Sequence, residues 1–576
     1  MPALRLALAQ TNPVVGALKA NSDQIVEFSR RAAAAGADLV GFGEMAISGY
    51  PIEDLATRPS FLHATHDAVI QLAARLKDEG LGDVPVIVGF PDGPFDPRLE
   101  GTSNAPTAIA QNCAAVLYGG EMIGRQAKFH LPNYSVFDEY RNFIPGDELI
   151  VLRLGDVDVA LAICEDIWRD GGPVSRVSSA DAGVLFVINA SPYERDKDDI
   201  RLPLVQKRSL ETDTVVAYVN LVGGQDDLVF DGDSVVVDQH GRILARAPQF
   251  EEHLLIVDVQ AEEATPPSIT QGINRIELPK RTGPKPPLDE DIAELPDDRE
   301  QIWNALVLGL RDYVEKNRFR SVILGLSGGI DSSVVAAISA DAIGADRVYG
   351  VSMPSRYSSD HSRGDADDLA ERIGLHYRTE AILDLVTPFE TQLHLDGLAA
   401  ENLQARVRGV ILMGLSNAEG HLVLTTGNKS ELAVGYSTIY GDSVGGFGPL
   451  KDVPKMLVWE LARWRNEAAA ARGETPPIPE NSIVKPPSAE LRPGQEDQDS
   501  LPPYEDLDAI LDAFIGRRFG PDDIADLGYP PELVDEILRM VDRSEWKRRQ
   551  SAIGTKISQM AFGRDRRLPI TYRPRD

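Results

Sequence analysis

Gly325-Leu326-Ser327-Gly328-Gly329-Ile330-Asp331-Ser332 is the stretch whose reading decides the fold of the second half of the chain. An apolar run over residues 321–326 precedes it and reads as a strand. A helical pattern over 332–343 follows, with Val334, Val335 and Ile338 on its apolar face, and a further strand is expected at 348–353. Strand, loop, helix, strand is the signature of a doubly wound parallel sheet. Consecutive glycines let the backbone come close to a phosphate, and free N–H groups at a helix start attract anions. Ser327 and Ser332 add hydroxyl donors, and Asp331 can hold a cation such as Mg2+ beside the phosphates. No Gly-Lys-Ser/Thr follows, so this is not a Walker A loop. A tight turn capped by Asp331 and Ser332 is the plain alternative, but a turn does not require this whole unit.

Working outward, a helix is expected at 299–317, and before it lies a proline-rich stretch, 261–296, with Pro266, Pro267, Pro279, Pro284, Pro286, Pro287 and Pro296. Proline at that density without apolar periodicity reads as a linker or extended arm. It separates a domain over 1–260 from one over 297–576. The full chain of 576 residues, 43% hydrophobic and 6% aromatic, is long enough for two large cores. Its 58 Lys plus Arg against 89 Asp plus Glu leave a formal charge of −31. A surface that acidic repels nucleic-acid backbones and anionic membranes. Only two cysteines occur, Cys113 and Cys164, which excludes a disulfide-stapled scaffold, and Cys113 reads as core packing. There is no apolar run of membrane-spanning length. The expectation is a soluble, cytoplasmic, multidomain protein binding neither nucleic acid nor membrane.

In the first half, Leu4, Leu6 and Leu8 alternate with Arg5, Ala7 and Ala9 as a first strand. Further strands are expected at 39–42, 85–90, 157–163, 184–188 and 215–219. The runs 235–237 and 243–244 flank Asp238-Gln239-His240-Gly241 as a hairpin, and a helix is expected at 22–35. Together they predict an α/β layered domain with mixed sheets. Just beyond or between these strands stand Glu44, in Gly43-Glu44-Met45; Lys128, in Lys128-Phe129-His130-Leu131-Pro132-Asn133-Tyr134; and Cys164, in Ile163-Cys164-Glu165-Asp166. Amide hydrolysis through a thiol needs these three residue types together. A thiolate attacks the carbon, a carboxylate moves the protons, and an ammonium offsets charge on the tetrahedral oxygen. Taken singly, each has a bland alternative: a buried small residue, a helix cap and a surface cation.

The Ser-Gly-Gly-Ile-Asp-Ser unit resembles the pyrophosphate loop of the ATP pyrophosphatase superfamily, whose members activate a carboxylate as an adenylate for a nitrogen or sulfur nucleophile. Four later segments, Glu401-Asn402-Leu403-Gln404-Ala405-Arg406, Thr425-Thr426-Gly427-Asn428-Lys429-Ser430-Glu431, Thr438-Ile439-Tyr440-Gly441-Asp442 and Leu450-Lys451-Asp452-Val453-Pro454-Lys455, narrow the resemblance to NAD synthetases. That likeness implies ATP contacts from the loop, Thr426 and Lys455, and deamido-NAD contacts from Asn402, Glu431 and Lys547. It makes Glu431 a second Mg2+ ligand beside Asp331. The proline-rich stretch 474–503 becomes an ATP-covering loop with 485–490 near the phosphates, and the cations of 547–549 a clamp on the dinucleotide. Ammonia-using relatives place a lysine where this chain has Ile439.

The ordered trio Glu44, Lys128 and Cys164 resembles the nitrilase (carbon–nitrogen hydrolase) superfamily, which implies an αββα sandwich. In glutamine-using members, the positions matching Tyr134, Ser191 and Lys197 hold the substrate's amino-acid end, and Glu139 matches a further glutamate supporting the lysine. The fusion resembles the glutamine-dependent NAD synthetases. It implies an ATP-dependent, Mg2+-requiring ligase that hydrolyses L-glutamine and carries the ammonia through an internal tunnel to adenylated deamido-NAD. The resemblance also implies a large homo-oligomer, such as an octamer.

Overall fold

The computed structural model describes residues 2–95, 108–265, 271–279 and 281–571. Pro266 and Pro267 of the expected arm lie outside the described residues. The chain divides into two compact units, Met1–Gln225 with Phe230–Pro296, and Asp226–Val229 with Asp297–Asp576.

Among the described residues, the first unit holds a six-stranded and a seven-stranded sheet. The six-stranded sheet runs, in spatial order, His253–Gln260, Ala3–Gln10, Leu39–Phe42, Val86–Asp92, Gln111–Tyr118 and Glu121–Ala127. The other runs Ile243–Arg246, Val235–Val237, Val215–Asn220, Val184–Asn189, Val157–Ile163, Leu149–Leu154 and Ile273–Leu278. Strand side chains alternate between faces, so each sheet has two buried faces here. Leu4, Leu6, Leu8, Ile87, Ala114 and Val116 meet Leu161, Phe186, Ile188 and Val219 in a core between the sheets. The alternate residues of the first sheet, including Val40, Phe42, Val88 and Phe90, pack against Ile25 and Val26 of the helix Leu18–Ala34 and Val69 and Leu72 of Pro59–Asp78. Ala160, Leu185, Val187 and Val216 of the second sheet meet Val174 of Gly172–Val177 and Val205 of Asp198–Thr212. Helix, sheet, sheet, helix is the αββα sandwich expected. At Gly41, a Cβ would stand 2.1 Å from the Phe186 ring, so the two sheets approach closely only because that side chain is absent.

The stretch read as a linker or arm also contributes structure: Ile273–Leu278 pairs in parallel with Leu149–Leu154. Alternating Ile273, Arg275 and Glu277 against Asn274, Ile276 and Leu278 gave it no apolar run to stand out among the prolines.

The second unit is built on a parallel sheet in the order His376–Thr379, Val348–Ser352, Val322–Gly325, Leu422–Val423. On one face Ile323, Val351 and Val423 pack with Val386 of the helix Leu383–Leu393 and with Val407 and Leu412 of Gly397–Glu419. The helix Ile330–Ile343 follows the Val322–Gly325 strand and packs against Asp298–Lys316 and Lys455–Ala471. This is the doubly wound arrangement. A helical cluster after it gathers Leu432, Val434, Leu507, Leu511, Ile537 and Val541.

Candidate active sites

In the first unit, Glu44, Lys128 and Cys164 follow the Leu39–Phe42, Glu121–Ala127 and Val157–Ile163 strands, where a rigid sheet fixes each one. Glu44 is fully buried. Its Oε1 accepts from Lys128 Nζ at 2.8 Å and from Asn112 Nδ2 at 2.5 Å, and its Oε2 accepts from the Ala190 N–H at 3.0 Å. A Cβ on Gly89 would lie 2.2 Å from Met45 N, so glycine there lets the neighbouring strand press against the turn that carries Glu44. Lys128 Nζ also reaches Glu139 Oε2 at 2.8 Å, and the Tyr50 hydroxyl donates to Glu139 Oε1 at 2.8 Å. The lysine is thus clasped by two buried carboxylates. Burial works to lower its affinity for a proton, but Glu139 and Glu44 overcome it, so Lys128 stays an ammonium. Burial, with Lys128 opposing, pushes Glu139 up to about 7.

Cys164 opens a single helical turn, Cys164–Ile167, with φ +45°, a strained conformation for a residue with a side chain. Burial, then the Glu44 charge, push its thiol well above the ordinary range against the pull of Lys128. The resting sulfur is therefore a thiol, and attack needs a base beside it. Asp166 fastens this turn to the lysine's loop. It accepts from Ile163 N at 3.1 Å, Phe129 N at 3.1 Å and His130 N at 2.8 Å.

Of the residues expected to hold an amino-acid end, Tyr134 is half exposed and donates to Glu165 Oε2 at 2.8 Å, and Glu165 in turn accepts from Arg169. Ser191, after the Val184–Asn189 strand, is buried, its N–H donating to Asn220 Oδ1 at 2.9 Å. Lys197 precedes the helix Asp198–Thr212. Sequence reading missed Asn112, Tyr50 and Asp166. Cys113 is buried in the core, as expected, and burial pushes its thiol up to about 12.

In the second unit, the loop 325–332 ends in the helix Ile330–Ile343, and Gly328 has φ +75°. A Cβ there would lie 2.2 Å from the Ser362 carbonyl oxygen, so the turn demands glycine. The sequence Asn428-Lys429-Ser430-Glu431 forms a capping box on Lys429–Val434, with the Glu431 N–H donating to Asn428 Oδ1 at 3.0 Å. The cap aims both residues: Asn428 Nδ2 donates to Asp331 Oδ1 at 2.9 Å, and Glu431 Oε1 lies 3.4 Å from Lys455 Nζ. Lys455 also pairs with Asp331 and lies over the Trp459 and Tyr504 rings at 5.5 and 5.3 Å. Burial would lower its affinity for a proton, but Asp331 and Glu431 hold it above the ordinary lysine range. Burial, then Asp331, push Glu431 up to about 8 against the pull of Lys455.

Thr438 Oγ1 donates to Asn402 Oδ1 at 2.8 Å. Thr426 lies in the loop between Leu422–Val423 and the capped helix, half-buried. Lys547 is half-buried and donates to the Gly435 and Ser437 carbonyls, both at 2.8 Å. Its neighbours differ from a three-cation clamp: Arg548 is buried against Glu545 and the Ala433 and Val541 carbonyls, and Arg549 pairs with Glu545. The stretch 474–503 carries a helix, Glu480–Val484, and one turn, Asp497–Asp499. It meets the glycine loop directly, with Ser482 Oγ donating to the Gly328 carbonyl at 3.0 Å. Lys485 pairs with Asp365 at 2.7 Å, and Glu490 accepts from Ser359 and Ser362. A small cleft opens beside Thr425, Gly427, Glu431, Ser437 and Asp442.

Residues 5–266 match the carbon-nitrogen hydrolase family and residues 302–551 the NAD synthase family. The chain is 42% identical to the glutamine-dependent NAD(+) synthetase of Thermotoga maritima, covering 100% of this chain and 99% of that protein. It is 43% identical to that of Acinetobacter baylyi, covering all of both. Among solved structures, glutamine-dependent NAD+ synthetase from Acinetobacter baumannii in complex with ADP aligns over 99% of this chain and 98% of that one, at 38% identity and TM-score 0.73. The enzyme of that name from Cytophaga hutchinsonii has the same fold at TM-score 0.78 and 22% identity, over 99% of this chain and 98% of that one.

Proposed function

The chain belongs to the glutamine-dependent NAD(+) synthetase family, and we propose that residues 1–260 hydrolyse L-glutamine, 261–296 link the two while lending the strand Ile273–Leu278 to the first unit's sheet, and 297–576 use the ammonia to amidate deamido-NAD(+) at the expense of ATP. The observation that carries this reading is that one chain holds both a buried Glu44–Lys128 pair beside a strained Cys164 and a glycine loop whose Asp331 meets Lys455.

Glu44 takes the Cys164 proton as sulfur attacks the amide carbon. The tetrahedral oxygen faces Lys128 and the backbone N–H after the cysteine, donors worth several kcal/mol in such sites. Glu44 passes the proton to the departing ammonia, then activates water against the thioester, releasing glutamate. Tyr134, Ser191 and Lys197 hold the amino-acid end. In the second unit, the 325–332 loop, Thr426 and Lys455 bind ATP, while Asn402, Glu431 and Lys547 bind deamido-NAD(+). The nicotinate carboxylate attacks the α-phosphorus, pyrophosphate leaves, and ammonia displaces AMP to give the carboxamide.

Among the described residues, no group of three or more His, Cys, Asp or Glu side chains stands ready to hold a metal. Asp331 and Glu431 converge on one ammonium and fit as two hard oxygen ligands whose set phosphate oxygens would complete. A bound Mg2+ would offset phosphate charge there. Among the described residues no helix is long and apolar enough to cross a membrane, and a cytoplasmic enzyme fits two free cysteines. A homo-oligomer is supported by an apolar face of Leu385, Phe389 and Leu393, spaced at four and each half exposed on one helix, and the family resemblance makes it a large one such as an octamer.

Mass spectrometry of products from ATP, glutamine and one acceptor at a time tests the reading. Deamido-NAD(+) should give NAD(+), AMP, pyrophosphate and glutamate. Preferred turnover of nicotinate, xanthosine monophosphate or aspartate would overturn it.

A further inference from the structure

Asn112 belongs to no recognisable motif. It lies near the start of the Gln111–Tyr118 strand, in register opposite Pro91. Cys113, Ala115 and Leu117 face the helices, whereas Ala114 and Val116 face the second sheet. Strand alternation therefore turns Asn112 toward the second sheet, on the side where Glu44 and Lys128 meet. It is 0% exposed, and Nδ2 donates to Glu44 Oε1 at 2.5 Å. Reversed, its amide would set two acceptors face to face, so the orientation is dictated by chemistry. Its backbone carbonyl oxygen accepts the Lys128 backbone N–H at 2.8 Å, so one residue holds both the acid and the lysine's backbone.

Among the described residues, Asn112 Oδ1 is buried without a hydrogen-bond partner. Burying an amide with one half unsatisfied is unfavourable. A strand position needing only packing is better filled by an apolar residue of the same size. The donor half of the amide explains the choice. We propose that Asn112 is a positioning residue for the glutaminase reaction, holding the Glu44 carboxylate aimed at Cys164 while Lys128, with two of its three donors on Glu44 and Glu139, keeps the third for the substrate oxygen.

The inference rests on the reading of Glu44 as the general base. The charged and titratable groups facing Glu44 are Lys128 after the Glu121–Ala127 strand, Cys164 after Val157–Ile163, Glu139 of the short helix Glu139–Asn142, and Tyr50 beyond the Glu44 turn. The Tyr50 hydroxyl donates to Glu139 instead, and the Ala190 N–H donates to Glu44 Oε2, so the neutral side-chain donor at Glu44 Oε1 is Asn112. Asn112→Asp keeps the volume but sets a second carboxylate against the first, so the two share a proton and the base form appears only at higher pH. Asn112→Leu removes the donor without adding charge.

The test is the pH profile of glutamine hydrolysis in the full-length protein, with hydrogen exchange across Gln111–Tyr118 reporting that the strand is folded. For Asn112→Asp the acid limb of kcat/KM should move up by about one pH unit. For folded Asn112→Leu, kcat should fall by about tenfold or more with KM held, because Asn112 touches the base and not the substrate. Folded variants with the limb unmoved and kcat within about twofold of the parent, against a Glu44→Gln control that is dead, would overturn the inference and leave the base assignment standing. An active Glu44→Gln would overturn both.

Discussion

Each unit buries one lysine between two carboxylates, and the two clasps are finished differently. Lys128 and Lys455 are each 1% exposed. The partners of Lys128 are nearly as buried, Glu44 at 1% and Glu139 at 4%, and neutral donors from Asn112 and Tyr50 complete them. The partners of Lys455 stand partly open, Asp331 at 18% and Glu431 at 17%. A small neutral amide brings no charge of its own, so a site for it must carry every charge in place beforehand. A polyphosphate brings several. A site for it can leave one side unfinished and let the ligand complete the set.

The largest expected effect separates the two clasps by activity. Cys164→Ala should lower glutamine-dependent synthesis by about 10⁴-fold or more while synthesis from added ammonia persists. Asp331→Ala should remove both. Initial rates with each nitrogen source decide it, and loss of the ammonia route in folded Cys164→Ala would break the division of labour.

The next effect is on stability. Lys128→Met strands two closed-in carboxylates and should cost about 3–5 kcal/mol in the first unit. Lys455→Met should cost the second unit less, since water already reaches Asp331 and Glu431. Hydrogen exchange in rising denaturant, read for each unit, measures both, and an equal or larger loss at Lys455 would erase the contrast.

The smallest effect is a slope with pH. Glu139 is pushed up to about 7 from an ordinary 4.5. Between those values the folded protein binds more protons than the unfolded chain. The stability this group contributes is therefore full below pH 4.5 and lost as pH rises through 7. Glu139→Gln stays neutral and lacks that fall, so the parent's advantage over the variant should shrink across the window by at most about 1.4 kcal/mol per pH unit. A constant difference would place Glu139 as a permanent anion.

The fold was legible at many short, bounded apolar runs: the strands at 39–42, 157–163 and 322–325 lie within a residue or two of their expected positions, whereas Gln111–Tyr118, Leu149–Leu154 and His253–Gln260 went unread. The edge strands Glu121–Ala127 and Ile273–Leu278 were not legible either, because half-buried alternation with charge looks like loop. Glu44, Lys128 and Cys164 were legible as an ordered trio of the residue types that thiol-based amide hydrolysis needs, each within a recognisable segment. Asn112 was not. It stands in Gln111-Asn112-Cys113-Ala114 with no motif, and what it does depends on a contact with a residue 68 positions away. The clasp at Lys455 was half legible: its members were named, but the capping box that aims Asn428 and Glu431 together emerges only in three dimensions.

Glutamine carrying heavy nitrogen in its side-chain amide, supplied with ATP, deamido-NAD(+) and an excess of unlabelled ammonium, tests the central claim most directly. If the first unit feeds the second, mass spectrometry finds the heavy atom in the carboxamide of the NAD(+) formed, and Cys164→Ala removes it. Glutamine consumed while the product carries only light nitrogen would contradict the account.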